Sequence, residues 1–469
     1  MTLGHDAIRQ LEALPNPLPV ASVRAARSRG LDVAVCPPGS KSLTNRAVLL
    51  AALASGVSRL RRPLADADDA ERMLAAVREL GAVVERSHDG VTIEGVGGRW
   101  RVPASGVTLN LNNAGTATRF LAAAALLAPG PVTIDGNARM RQRPIGELVW
   151  ALEELGAKVE FVPVAGGLPG CPPVRVVAPN ASTLHVEHAL EIPTTQSSQF
   201  ISALLMIGPW LPDGITIRLV GHATSASYIR MTLGLLAQVG AVVRHTEDMR
   251  VLRVSPPADG SPLRGFDYLV EPDASGATYF WGAAALCPGS RCLIRDLPTP
   301  SLQGDADFVQ LLDAMGCGVT TSPEGVAVVG AERLQAIDAD MSDMPDATMT
   351  LAAVAAFAPE ASRLTGIRTL RVKETDRVEA LRIELAKIGV HVESPVDGDA
   401  DAMVITPPAG GVDCSANVPP VVFDTYDDHR MAMSLALIGL RRPNVLIRHP
   451  ACVAKTYPTF WQEWERLFA

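Results

Sequence analysis

The stretch from Arg78 to Gly95, RELGAVVERSHDGVTIEG, decides the fold. It reads as the end of a helix, a glycine where a helix terminus takes a left-handed residue, an alternating strand, a turn and a second strand. The same order returns as EELGAKVEFV from Glu153, LAQVGAVVRHTEDMRVLRV from Leu236, DAMGCGVTTSPEGVAVVG from Asp313 and AKIGVHVESPVDGDADAMVITPP from Ala386. Its glycines, Gly81, Gly156, Gly240, Gly316 and Gly389, recur roughly every 73 to 84 residues, which marks an internal repeat.

A second series interleaves with the first. Each member is a polar cluster followed at once by an Ala/Leu-rich helix: GSKSLTNRAVLLAALA from Gly39, NAGTATRFLAAAALLA from Asn113, SSQFISALLM from Ser197, DASGATYFWGAAAL from Asp273, DATMTLAAVAAFA from Asp346 and DDHRMAMSLALIGL from Asp427. Six starts imply six copies of one βαβαββ-like unit, the last cut short near Ala469. The helices are apolar almost all round, so they belong inside their domains. Ser, Thr, Asn and Asp at each start satisfy the first N–H groups. A cap suffices at Asp273. Where Lys, Arg or His stands at the buried end, a cap alone does not explain the charge. The expected fold is α/β (α+β) in two similar domains of three units each, with boundaries at 38–262 for one and at 1–37 plus 263–469 for the other.

The bulk properties set limits. The chain has 469 residues, 48% hydrophobic and 20% charged, enough for two or three domains. A formal charge of −8 argues against a nucleic-acid partner, so any cationic site must be local. Seven scattered cysteines with no CxxC read as reduced thiols and a cytoplasmic protein. No apolar run approaches the roughly 20 residues of a membrane span. Met1 to Gly30, with Asp6, Glu12, Pro15 and Pro17 and no apolar signal region, reads as a short extension before the first strand.

The charges converge on the helix starts. Lys41 and Arg46 lie at the first, Arg119 at the second, and Arg139, Arg141 and Arg143 in the loop after it. RVKETDR follows the fifth helix, with Lys373, Glu374 and Arg377. The sixth start carries Asp427, Asp428, His429 and Arg430, and Lys455 lies beyond it. Cations gathered on partly positive helix N-termini form an anion site, and arginines suit bidentate binding of phosphate or carboxylate.

The strings PPGSKSLTNRA, NNAGTATR, RMRQRPIG, SSQF, PDATMT, RVKETDR and TYDDHRMAM, in that order from about Cys36 to Pro458, resemble those of the 5-enolpyruvylshikimate-3-phosphate synthase family. The resemblance implies the enolpyruvyl transferase fold, an inverse α/β barrel of buried parallel helices, with the active site in a cleft between the domains. It implies transfer of the enolpyruvyl group of phosphoenolpyruvate to the 5-hydroxyl of shikimate 3-phosphate, without metal or cofactor, by a monomer that closes on its substrates. Lys41, Ser42, Arg46, Ser197, Ser198, Gln199, Ser225, Tyr228, Asp346 and Lys373 would bind shikimate 3-phosphate. Lys41, Asn113, Gly115, Thr116, Arg143, Gln199, Arg377, Arg430 and Lys455 would bind phosphoenolpyruvate. Asp346 and Glu374 would move protons, assisted by Lys41 and His429. The alternative for Asp346 is a plain helix cap. Gly115 resembles the form found in glyphosate-sensitive members.

The chain departs from the family pattern at Thr369, where Asn is frequent, at Ala226 and Arg230, and at Phe120, where proline is frequent. His185 and His188 resemble a metal pair, but on a strand a spacing of three points them to opposite faces. The related transferase acting on UDP-N-acetylglucosamine carries a cysteine near phosphoenolpyruvate, and none lies between Cys36 and Cys171. A binder of phosphorylated metabolites would need the cations but not Asp346 and Glu374.

Overall fold

The computed structural model describes residues 9–21, 31–179, 188–193, 197–221 and 225–468. The chain divides into two compact units, Gly39–Val270 and Met1–Pro38 with Glu271–Ala469. The five repeat glycines all take left-handed backbone, with φ between 82° and 102°, directly after a helix. Each allows a sharp exit into the following strand that a residue with a β-carbon would resist.

The six polar starts each open a helix: α1 (Lys41–Leu53), α2 (Gly115–Ala124), α3 (Ser198–Ile207), α4 (Ala274–Leu286), α5 (Thr348–Ala355) and α6 (His429–Arg441). Every residue of α2, α4 and α5 is buried. Each unit surrounds its three helices with three small sheets. Within one unit, α4, α5 and α6 approach closely enough that a β-carbon at Gly282 would lie 3.0 Å from Thr350 and 3.3 Å from Leu437. Their buried hydroxyls satisfy one another, Thr278 to Thr350 at 3.0 Å and Thr350 to Ser434 at 3.5 Å.

The sheets repeat one pattern. Strand Val107–Asn110 enters α2, and strand Val132–Asp135 leaves it and pairs parallel to the first. The hairpin of Lys158–Phe161 and Val174–Val177 then adds antiparallel. The third and fifth copies match. The sixth ends before its hairpin, and Leu18–Val20 pairs antiparallel with Val445–Ile447 instead, covering an edge that would otherwise be open.

The first and fourth copies exchange their entering strands. Asp32–Val35 precedes α1 but pairs parallel with Arg291–Arg295, the strand after α4. Asp267–Leu269 precedes α4 but pairs parallel with Val57–Arg61, the strand after α1. This pairing corrects the expected boundary at 262/263 to Val270/Glu271, and that at 37/38 to Pro38/Gly39.

Candidate active site

In the unit containing Glu271–Ala469, the sequence-selected groups form one ion network. Arg377 sits at its centre, fully buried at the start of helix Arg377–Ala386. Its Nε donates to Asp428 Oδ2 at 2.7 Å, Nη1 to Asp346 Oδ1 at 3.0 Å and Nη2 to Glu374 Oε2 at 2.9 Å. Burial opposes the guanidinium's charge, but Asp428, Glu374 and Asp346 outweigh it and hold its pKa above the ordinary value. Arg430 Nη2 donates to the other oxygen of Asp346 at 2.8 Å, and Nη1 to Tyr279 Oη at 3.3 Å. Lys373 lies 3.4 Å from Asp346, and Lys455 lies 3.1 Å from Glu374.

Asp346 stands in the 3-10 turn Pro345–Ala347 before α5, where the N-cap position is taken by Ala347, and it faces three cations. Asp428 does cap, accepting from Arg430 N at 2.9 Å. His429 is fully buried, its Nδ1 3.6 Å from Asp428 Oδ1. Asp273 caps α4 through Ser275 N at 3.0 Å, as the sequence suggested.

In the other unit, Gly39–Val270, the groups fall into two clusters. Arg46 is buried on α1, where Nε donates to Thr232 Oγ1 at 2.8 Å and Nη1 to Ser42 O at 3.0 Å. Its Nη2 reaches Ser202 Oγ and Tyr228 O at 3.3 and 3.2 Å, and its guanidinium carbon lies 5.1 Å from the Phe120 ring centre. Burial pulls its pKa down to about 10. Most of its donors thus hold α1 to the helices beside it. Lys41 Nζ lies 3.5 Å from Asp69, and Ser225 adopts left-handed backbone, φ 54°, just before helix Ala226–Gln238.

The second cluster surrounds the start of α2. Arg143 Nη1 donates to Asn113 Oδ1 at 3.1 Å, and its guanidinium lies against Gly115, where a β-carbon would come within 2.7 Å of Nη2. Gln199 Nε2 donates to Thr116 Oγ1 at 3.3 Å, and Ser197 caps α3 through Gln199 N with Ser198 buried beside it. Arg119 anchors the arginine loop, donating to Gly115 O at 3.3 Å and Pro144 O at 2.9 Å.

Residues 26–464 match the model of the EPSP synthase (3-phosphoshikimate 1-carboxyvinyltransferase) family. The chain belongs to the EPSP synthase family. It is 39% identical over 438 residues to the 3-phosphoshikimate 1-carboxyvinyltransferase of Syntrophobacter fumaroxidans, covering 93% of this chain and 97% of that one. The enzyme of that name from Bordetella bronchiseptica is 40% identical over 456 residues, covering 95% and 97%. The EPSP synthase structure from Acinetobacter baumannii shares the fold, with a TM-score of 0.74 at 24% identity over 96% of this chain and 97% of that one.

Against the EPSP synthase pattern, one departure acquires a local explanation and the others are only located. Phe120 supplies the ring beneath Arg46. Thr369 is buried, its hydroxyl without a hydrogen-bond partner among the described residues. Ala226 opens a helix and Arg230 is exposed on it. His185 lies outside the described residues and His188 is exposed. Among the described residues no group of three His, Cys, Asp or Glu side chains could hold a metal, and no helix is long and apolar enough to cross a membrane.

Sequence reasoning left Asp428, Tyr279 and Asp305 out of the site. Asp428 was visible as a charge two residues before Arg430, but its side-chain partner Arg377 lies 51 residues away. Tyr279 and Asp305 carried no signal, because the fourth helix start looked purely structural. Burial, followed by the charge of Asp346, pushes the Asp305 carboxyl up to about 7.

Proposed function

We propose that this member of the family transfers the enolpyruvyl group of phosphoenolpyruvate to the 5-hydroxyl of shikimate 3-phosphate and releases phosphate. The observation that carries the reading is Asp346 held by Arg377, Arg430 and Lys373, beside Glu374 held by Arg377 and Lys455. A metabolite binder would need those cations. It would not need two carboxylates buried among them.

Phosphoenolpyruvate brings a phosphate and a carboxylate, and the co-substrate brings another of each. Arg143, Arg377, Arg430 and Lys455, with the N–H groups near Asn113, Gly115 and Thr116, supply the charge and donors for the first. Lys41, Ser42, Arg46, Ser197, Ser198, Gln199, Ser225, Tyr228 and Lys373 supply those for the second. The reading requires both sets to serve one pair of substrates.

In the addition step the 5-oxygen forms a bond to C2 while its proton passes to Asp346, and C3 takes a proton from Glu374. Glu374 can carry that proton once bound anions draw the charge of Lys455 and Arg377 toward themselves. In the elimination step the C2–O bond to phosphate breaks, C3 returns its proton to Glu374 as the C2–C3 double bond re-forms, and Lys41 protonates the departing phosphate; Asp346 then gives its proton to solvent and Lys41 regains one from it. His429, buried beside Asp428, assists near the enolpyruvyl group. The reaction as written uses neither cofactor nor metal. A cytoplasmic monomer inhibited by glyphosate in competition with phosphoenolpyruvate completes the proposal.

Phosphate release that requires both substrates tests it. Release with UDP-N-acetylglucosamine in place of shikimate 3-phosphate would favour the related transferase, and binding without release would leave a metabolite binder.

A further inference from the structure

The approach to α6 carries an unusual backbone. Tyr426 and Asp427 both adopt left-handed conformation, with φ of 52° and 59°. Residues with a β-carbon enter that region at a cost of about 1 kcal/mol or more each and stay there only when their surroundings hold them.

Asp428 N donates to Thr425 O at 2.8 Å and closes the turn around Tyr426 and Asp427, and a carboxylate outside the anion site holds that turn in place. Glu384, on helix Arg377–Ala386, is fully buried. Its Oε1 accepts from Tyr426 Oη at 2.8 Å, and its Oε2 accepts from Asp424 N at 2.9 Å. Lys387 Nζ balances the charge at 2.5 Å from Oε2 and also donates to Val422 O at 3.0 Å. Seven residues before Glu384, Arg377 holds Asp428. Positions seven apart share a helix face. One face therefore grips the loop on both sides of Asp427, at Asp424 and Tyr426 and again at Asp428.

Other contacts at this corner are weaker. Arg448 reaches Asp424 Oδ2 at 3.1 Å, but that pair is largely exposed and contributes little. Tyr426 N donates to Asp424 Oδ1 at 3.0 Å, a local turn that ends before Asp427. Hydrogen bonds to a fully buried charged acceptor are the stronger restraint.

We infer that Glu384 and Tyr426 form a clamp that sets the position of Asp428, His429 and Arg430. They are positioning residues, acting on the anion through Arg377 and Arg430. Without the clamp, Tyr426 and Asp427 relax toward right-handed backbone and the start of α6 shifts. The bonds of Arg430 to Asp346 and Tyr279 are then made from a shifted helix start. The inference rests on the reading of Arg377 and Arg430 as ligands of phosphoenolpyruvate.

The test compares Tyr426→Phe, Glu384→Gln and the parent chain with shikimate 3-phosphate saturating. Tyr426→Phe removes one hydroxyl and is expected to raise the KM for phosphoenolpyruvate about threefold to tenfold, the loss of roughly one hydrogen bond. Its thermal midpoint should stay within a few degrees of the parent. Glu384→Gln still offers an oxygen to Asp424 N and an amide to Tyr426 Oη, so its KM should lie closer to the parent's than that of Tyr426→Phe does. A Tyr426→Phe enzyme with the parent's KM and kcat overturns the clamp, as does a loss confined to thermal stability. Calorimetric binding of phosphoenolpyruvate is read on the same samples. A parent that binds without releasing phosphate removes the functional reading alone, and the ratio of the two affinities still decides the clamp.

Discussion

Arg377 and Asp428 meet through two hydrogen bonds, Nε to Oδ2 at 2.7 Å and Nη2 to Oδ1 at 3.2 Å, with both side chains buried. This pair joins the start of helix Arg377–Ala386 to the start of α6 and fixes the geometry between two arginines proposed to bind the same anion. Asp428→Ala should cost about 3 kcal/mol of stability. That is the low end for removing one partner of a buried pair, because Glu374 and Asp346 still face the guanidinium. Urea unfolding measures it, and an unchanged midpoint with an unchanged slope would contradict the assignment.

Asp346 and Glu374 share Arg377 yet are given different protons to move. Asp346→Ala and Glu374→Gln should each lower kcat by about 10²- to 10⁴-fold, the usual contribution of a positioned acid or base. Steady-state phosphate release on folded variants decides this. Near-normal turnover in both would remove the proton-transfer assignment.

Gly115 has its Arg143 neighbour packed where a side chain would begin. In Gly115→Ala the new β-carbon would stand 2.7 Å from Nη2, so the guanidinium has to move. The KM for phosphoenolpyruvate should rise about tenfold, or about 1.4 kcal/mol, while the KM for shikimate 3-phosphate changes less. Equal changes in both would show that the substitution disturbs α2 as a whole. With Gly115 in place, the parent should be inhibited by glyphosate competitively with phosphoenolpyruvate, and activity unaffected by high glyphosate at low phosphoenolpyruvate would contradict that.

Asp305 should make stability depend on pH. Its folded carboxyl titrates near 7, from an ordinary value of 3.8, chiefly because it is buried and secondly because Asp346 is close. Between those values the folded chain keeps a proton that the unfolded chain has lost. Stability from this group therefore falls as pH rises from about 4 to about 7 and is constant above that, by at most about 4 kcal/mol. Asp305→Asn removes the dependence. The thermal midpoint of the parent relative to Asp305→Asn should fall across that range, and parallel curves would refute the assignment.

Much of this was legible along the chain. The glycine stops and polar starts located all six buried helices, since both signals are local: one is a backbone conformation, the other a set of N–H groups needing acceptors. The strings around Lys41, Gly115, Asp346, Lys373 and Arg430 also collected most of the charged groups of the ion network and of the two clusters in the other unit. What escaped were residues whose meaning depends on a distant neighbour. Phe120 was read as a departure until Arg46 lay over it. Glu384 carries no signal in the sequence, because its burial against Tyr426 depends on a loop about 40 residues away.

By itself the sequence determined the repeat, the burial of its helices and the family of the chain, because each follows from local periodicity or from residues in a fixed order. Only the tertiary structure decided that Asp32–Val35 and Asp267–Leu269 exchange sheets, that Leu18–Val20 completes the sixth copy, and that Asp346 faces Arg377, Arg430 and Lys373. The reason is physical. A strand's own residues leave its partner open, since many edges offer the same hydrogen bonds, and a carboxylate's role is set by the charges that folding brings within about 4 Å.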